Sequence, residues 1–197
     1  SGLDHTVLKA GVIYGEGELP LLLCLDALAR HRPLGGVPGL LRPTGRGDVE
    51  SNHQVFHDLD VRARFDLEGV PLEGYDLEDP AAEPPRAILD EGSGPLVPYQ
   101  FNVGCPFGCG FCNSFSRRTY RLRAPALVAA DLTHAVREYG VHRFYMVNHL
   151  LNADPAHLRE LVERLEAARL DMHWVDSCRV TGMSPELLRR LRRVGLS

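Results

Sequence analysis

An α/β fold on a parallel sheet is the architecture this 197-residue sequence predicts, and three observations predict it. Three apolar segments, near 97–103, 143–148 and 172–178, each precede an amphipathic helical stretch. Each of those stretches opens on a proline, a capping residue or both: Pro125, Asp154-Pro155 and Ser184-Pro185. Repeated strand–helix alternation gives parallel strands joined by right-handed crossovers. Three such units are half of a closed barrel, so the sequence predicts a partial (βα) barrel. An open parallel sheet of three strands would leave a long unpaired edge. A fourth strand is due near Ser197, and the expectation is an excerpt of a longer protein.

Taken in order, Val7 to Tyr14 is apolar enough for a strand. Gly15-Glu-Gly-Glu-Leu-Pro20 then turns into a helix over roughly Leu19 to Arg30. Pro20 suits a first helical turn, and Glu16 and Glu18 complement the positive end of the helix dipole. Leu21, Leu22, Leu25 and Leu28 are expected to form its apolar stripe, with Cys24 on the packing side. From Pro33 to Pro95 glycine, proline and aspartate are frequent and no helical period survives, so the region reads as an irregular connector. One fragment alternates, Val61, Ala63, Phe65 and Leu67 against charged neighbours, and predicts a short half-exposed strand. In the regular part, the first helix carries Val128, Leu132, Ala135, Val136 and Tyr139 on one face and ends at Gly140. The second carries Leu158, Leu161, Val162, Leu165 and Ala168, and the third Leu187, Leu188, Leu191 and Val194, stopping at Gly195.

The feature that carries chemistry is Cys105-Pro-Phe-Gly-Cys109-Gly-Phe-Cys112, directly after the first strand of the regular part. Three thiolates on one short loop can hold three irons of a cubane cluster. Ordinary four-iron clusters take four cysteines, so one iron stays open for a ligand unless a distant residue fills the place. A zinc site is the competing reading, with His149, His173 or Cys178 as fourth ligand. A plain electron-transfer module would need Cys178 as its fourth cysteine. Cysteines number five, an odd count, and their crowding suits metal ligation in a reducing compartment better than a disulfide framework.

These residues resemble the radical S-adenosylmethionine enzymes, in the subgroup that carries a cobalamin-binding domain. The cysteine loop with Phe111 before its third cysteine is the specific match. Arg117-Arg-Thr-Tyr-Arg-Leu-Arg123 is similar to the family's basic run, which would position anionic groups near the cofactor, although a solvated basic face is the better account of it. Gly15-Glu-Gly-Glu18 looks like the segment closing the cobalamin domain, and Phe65-Asp-Leu-Glu-Gly-Val-Pro-Leu-Glu-Gly-Tyr75 like the connector before the barrel. The resemblance implies that residues 1–40 are the tail of a Rossmann-like cobalamin-binding domain, 41–95 a connector, and 96–197 the N-terminal half of the radical barrel.

It also implies a mechanism. Cys105, Cys109 and Cys112 would ligate a 4Fe-4S cluster whose fourth iron is chelated by S-adenosylmethionine. Reductive cleavage would release a 5′-deoxyadenosyl radical, fed by an electron donor such as a flavodoxin or ferredoxin. With cobalamin in the full-length protein, methyl transfer to an unreactive carbon or a related radical transformation would follow. Phe111, Asn148 and Arg179 are the cofactor-binding candidates; Phe111 would lie beside the adenine. Where family members place acidic residues after the second strand, this sequence reads Val147-Asn148-His149-Leu150, so Asn148 offers hydrogen bonds without charge. The Asp-x-His-x-x-Gly cobalamin motif is absent, Asp4-His5 having the wrong spacing, so this stretch alone should hold cobalamin poorly. Cutting the barrel midway would leave the fragment inactive. His134, His142 and His157 show no ligand spacing and are expected at the surface.

Composition narrows the setting. A net charge of −4 leaves no electrostatic footprint for nucleic acid. No apolar run reaches the roughly 18–20 residues that span a bilayer, and no signal-peptide pattern opens the chain. The expectation is a cytoplasmic protein.

Overall fold

The computed structural model describes residues 11–44, 47–75, 94–112 and 120–197. The chain divides into two compact units, Ser1–His57 and Asp58–Ser197.

In the first unit, β1 (Val12–Ile13), β2 (Leu40–Pro43) and β3 (Val49–Ser51) form an antiparallel sheet in that order. Val12 pairs with Leu41 and Leu41 in turn with Ser51. The expectation of irregular chain from residue 33 onward therefore fails at 40–43 and at 49–51. Short strands around glycine and proline carry too little hydrophobic period to show as strands; pairing defines them. Helix α1 (Glu18–Ala29) matches its predicted span, with Glu18 in the first turn. Its packing face does not match. Pro20, Cys24 and Ala27 are buried, whereas Leu21, Leu22, Leu25 and Leu28 are all more than half exposed. Cys24 packs with Val37 and Leu40, as the sequence led one to expect of that cysteine. Residues 7–10 of the predicted first strand lie outside the described residues.

The second unit holds the parallel sheet. Strands β4 (Leu96–Tyr99), β7 (Arg143–Met146) and β8 (His173–Val175) lie in the order β4-β7-β8, all parallel. Between β4 and β7 in sequence, β5 (Asn102–Val103) and β6 (Arg121–Leu122) pair antiparallel. Helices α2 (Pro125–Tyr139), α3 (Pro155–Ala168) and α4 (Pro185–Arg193) follow the three parallel strands, as predicted.

Capping chemistry explains where these helices begin. All three carry proline in the first turn, where the missing N–H costs nothing. The Asp154 carboxylate accepts from the backbone N–H of Ala156 and His157, and Ser184 Oγ from that of Leu187. Gly140 closes α2 in the left-handed region at φ 63°. The apolar faces of α2 and α3 meet Val97, Tyr99, Phe101, Phe144, Met146 and Trp174 in one core. Leu196 makes a parallel bridge to Trp174 beyond β8, where a further strand was expected to begin.

The alternating fragment at 61–67 is not a strand. A 3-10 turn occupies Leu59–Val61, and irregular chain follows. Its side chains supply the anchors that strand pairing would have given. The Phe65 ring meets Tyr99 edge-on at 5.1 Å between centroids, and Leu67 joins the core. Among the described residues, no helix is long and apolar enough to cross a membrane.

Candidate functional site

In a parallel sheet all strand carboxyl ends share one edge, and open α/β sheets bind ligands there. Three buried asparagines stitch that edge together. Asn148, after β7, accepts at Oδ1 from the backbone N–H of Phe101 and of Asn102, each at 3.0 Å. Asn102 donates from Nδ2 to Leu150 O at 2.8 Å and accepts at Oδ1 from His149 N at 2.9 Å. Asn152 accepts from Arg179 N at 2.9 Å and donates to Arg179 O and Thr181 O. Each side chain satisfies loop N–H or C=O groups that no ladder reaches, which fixes the loops leaving all three strands.

Asp176, directly after β8, completes the edge. Its Oδ2 accepts from Asn148 Nδ2 at 2.6 Å and its Oδ1 from Ser177 N at 2.7 Å. Burial pushes this carboxyl up to about 7, against the smaller downward pull of those two hydrogen bonds. Among the described residues no cation pairs with it. Asp131 makes the contrast: more deeply buried, it is neutralised by Arg123 Nε at 2.9 Å and receives the Tyr99 hydroxyl at 2.8 Å. Asp131 is structural, while Asp176 is a carboxyl at a strand end whose ionisation is shifted by desolvation, a feature that marks candidate functional positions.

The sequence reading did not single out Asp176. The available signal was an acidic residue immediately following the apolar Trp174-Val175 pair.

The cysteine loop leaves β5 through Gly104, whose φ of 81° turns the chain away from the strand. Cys105 and Cys109 are half-buried and Cys112 is exposed. A turn hydrogen bond runs from Cys112 N to Cys109 O at 3.1 Å. Among the described residues, no three His, Cys, Asp or Glu side chains are gathered closely enough to hold a metal ion. That statement covers the cysteine trio and the zinc combinations with His149, His173 or Cys178 alike. The donor set still fits an iron–sulfur cluster: three thiols within eight residues of one loop, next to a buried, unpartnered phenol oxygen on Tyr120. Metal binding and the final shape of such a loop are coupled.

The three cofactor-binding candidates take different positions. Asn148 is buried, with both lone pairs of its oxygen occupied and one amide N–H committed to Asp176. Arg179 lies with its guanidinium 3.9 Å above the Phe107 ring, joining the β8 loop to the cysteine loop. Phe111 is 93% exposed. Among the described residues no hydrogen bond or ring contact joins these three to one another.

Two expectations for neighbouring residues are corrected. Arg123 is not on a solvated face: it is buried, ion-paired with Asp131, and donates to Leu59 O at 2.6 Å. Residues 113–119, which include the start of that basic run, lie outside the described residues. His157 is not a surface residue either, since its ring stacks on Phe101 and its Nε2 lies 2.7 Å from Arg123 O.

Comparison with known proteins agrees with this geometry. In solved structures the fold matches the radical S-adenosylmethionine methyltransferase TsrM from Kitasatospora setae, with TM-score 0.67 and 20% identity over 93% of this chain. It also matches the cobalamin-dependent S-adenosylmethionine radical enzyme OxsB, with TM-score 0.61 and 16% identity over 90% of this chain. Both of these solved proteins are described as S-adenosylmethionine radical enzymes or methyltransferases, and what they share with this chain is the fold. One curated relative is an uncharacterized methyltransferase of Pyrococcus horikoshii, 25% identical over 191 residues and 93% of this chain. Another is the hopanoid C-3 methylase of Methylococcus capsulatus, 29% identical over 149 residues and 71% of this chain. The chain spans 38% and 24% of those two proteins' lengths, and 35% and 25% of the two solved chains. No protein-family model matches it.

Proposed function

We propose that this chain is the cluster-bearing part of a cobalamin-dependent radical S-adenosylmethionine enzyme, with Cys105, Cys109 and Cys112 as ligands of a 4Fe-4S cluster. One observation carries the reading: three thiols stand on the loop after the first strand of a parallel sheet whose fold such enzymes share. When bound, the cluster and S-adenosylmethionine supply a one-electron reductive cleavage that starts radical chemistry.

The chain's own residues do the positioning. Asn102, Asn148 and Asn152 hold the three strand-end loops in register. Asp176 supplies the negative charge that Asn148 lacks, and suits the ammonium of an amino-acid cofactor. Arg179, stacked on Phe107, braces the cysteine loop from the neighbouring strand. Phe111 reaches the adenine side of the cofactor. Residues 96–197 form the first half of the barrel, and the Leu196 bridge is where its next strand begins. Residues 1–40 and 41–95 are the tail of the cobalamin domain and the connector. The complete protein transfers a methyl group, or performs a related radical transformation, in the reducing cytoplasm with a flavodoxin- or ferredoxin-like donor.

The test is anaerobic reconstitution of this chain with iron and sulfide. The expected result is a brown protein whose reduced-cluster EPR spectrum changes on adding S-adenosylmethionine. Serine at Cys105, Cys109 or Cys112 should abolish the colour, whereas Cys24→Ala should not. Zinc without iron in anaerobically prepared protein would defeat the reading.

A further inference from the structure

Tyr120 carries a buried phenol oxygen with no hydrogen-bond partner among the described residues. Buried hydroxyls are nearly always satisfied, so an orphan beside a candidate metal loop calls for a physical reason. Its position is set by the β5–β6 ladder, which pairs Asn102 with Leu122 and Val103 with Arg121. Continued by one residue, that register sets Tyr120 opposite Gly104, the residue before Cys105. Burial pushes its phenol up to about 12, and the negative charges of Asp154 and of an ionised Cys105 push the same way. A phenol is protonated at neutral pH, and the ladder sets this one against the residue that opens the cysteine loop.

A thiolate is an acceptor, and a protonated phenol is a donor with nothing else to bond. Hydrogen bonds to cluster sulfurs stabilise the more negative, reduced state and raise the reduction potential. Outer-shell partners of metal ligands tune the metal in the same way.

We propose that Tyr120 donates its phenolic O–H to the sulfur of Cys105 when an iron–sulfur cluster is seated on the cysteine loop, and that this bond raises the cluster's reduction potential. The proposal rests on the function proposed above. The alternative role is packing alone, in which the ring matters and the hydroxyl does not.

Tyr120→Phe separates the two, because it removes one oxygen atom and keeps the ring. In the cluster-free protein the variant should be as stable as the parent or more so, since it deletes an unsatisfied buried group. After reconstitution it should load the parent's amount of iron, and its reduction potential should shift to a more negative value. Resonance Raman bands of the iron–cysteine stretch should move on transfer to D2O in the parent and stay fixed in the variant. An iron-loaded variant with the parent's potential would overturn the proposal while leaving the cluster assignment standing. So would a variant that takes up no iron, because the three thiols are untouched. A parent chain that takes up no iron would remove both readings together.

Discussion

Asn148 and Asp176 tie the ends of β7 and β8 together through a hydrogen bond of 2.6 Å from Nδ2 to Oδ2. The carboxyl that receives it ionises at about 7 in the folded protein, raised by burial, against an ordinary 3.8. Between those two pH values the folded state binds more protons than the unfolded state. Stability therefore falls as pH rises from about 4 to 7, and the full cost of the buried charge is present only above that window. Asp176→Asn keeps an acceptor for Asn148 and removes the charge. The variant should match the parent near pH 4 and exceed it by about 2–4 kcal/mol at pH 8. Urea denaturation across that range checks this, and a constant difference between the two proteins would contradict it.

The other end of the same side chain is a separate test. Asn148 Oδ1 is the acceptor for two buried backbone N–H groups, those of Phe101 and Asn102. Asn148→Ala orphans both, at about 1–3 kcal/mol each. Asn148→Asp keeps the acceptor but sets a second carboxylate against Asp176, where two negative charges cannot both ionise easily. The aspartate variant should therefore be the more stable of the two at pH 5 and lose that advantage by pH 8. Denaturation midpoints at the two pH values decide it.

These contacts mark the limit of what the sequence revealed. The parallel sheet with its helices was legible because Pro125, Asp154-Pro155 and Ser184-Pro185 announce helix starts through local chemistry, and the apolar faces that follow repeat at helical spacing. Residues 61–67 misled because alternation only records which side chains want burial. Phe65 and Leu67 obtain it against Tyr99 and the core without a strand partner. In α1 four leucines outweigh Pro20, Cys24 and Ala27 on any hydrophobicity count, yet the smaller residues are the buried ones, and Cys24 packs with Val37 and Leu40. Arg123 reads as one arginine in a basic run until Asp131, eight residues on, is seen to neutralise it. The cysteine loop could be named as a candidate from the sequence alone, since its spacing is local. The Asn148–Asp176 bond could not, because it joins residues 28 apart.

The Arg123–Asp131 pair is a case where a partner cannot be removed cheaply. Both side chains are about 95% buried, and Asp131 also holds the Tyr99 hydroxyl and Phe65 N. Arg123→Met leaves an uncompensated buried carboxylate, at about 3–5 kcal/mol. Adding Asp131→Asn should restore part of that loss, because the amide oxygen can still accept from Phe65 N while its Nδ2 donates to the Tyr99 hydroxyl, without a charge. A double-mutant cycle by chemical denaturation measures the coupling, and simple additivity would show the pair to be independent.

Gly195 holds α4 against β8, and no other residue fits there. Its φ is 91°, and a Cβ would lie 1.9 Å from Met172 O and 2.9 Å from Met172 C, both backbone atoms that cannot swing aside. The contact is close because the backbone here joins the sheet: Trp174 N donates to Gly195 O at 2.8 Å, and Ser197 N to Trp174 O at 2.9 Å. The indole of Trp174, the protein's single tryptophan, is sealed beneath by its own bond from Nε1 to Val194 O. Gly195→Ala must therefore push the chain off β8, at a cost of about 3 kcal/mol or more. Because the tryptophan is 1% exposed in the parent, its emission should move to the red and become accessible to acrylamide. Gly140→Ala is the control. Gly140 also has positive φ, but open space surrounds its Cβ position. It should cost about 1 kcal/mol and leave the emission unchanged. Equal effects of the two alanines on tryptophan emission would show that the close approach to Met172 is not what Gly195 serves.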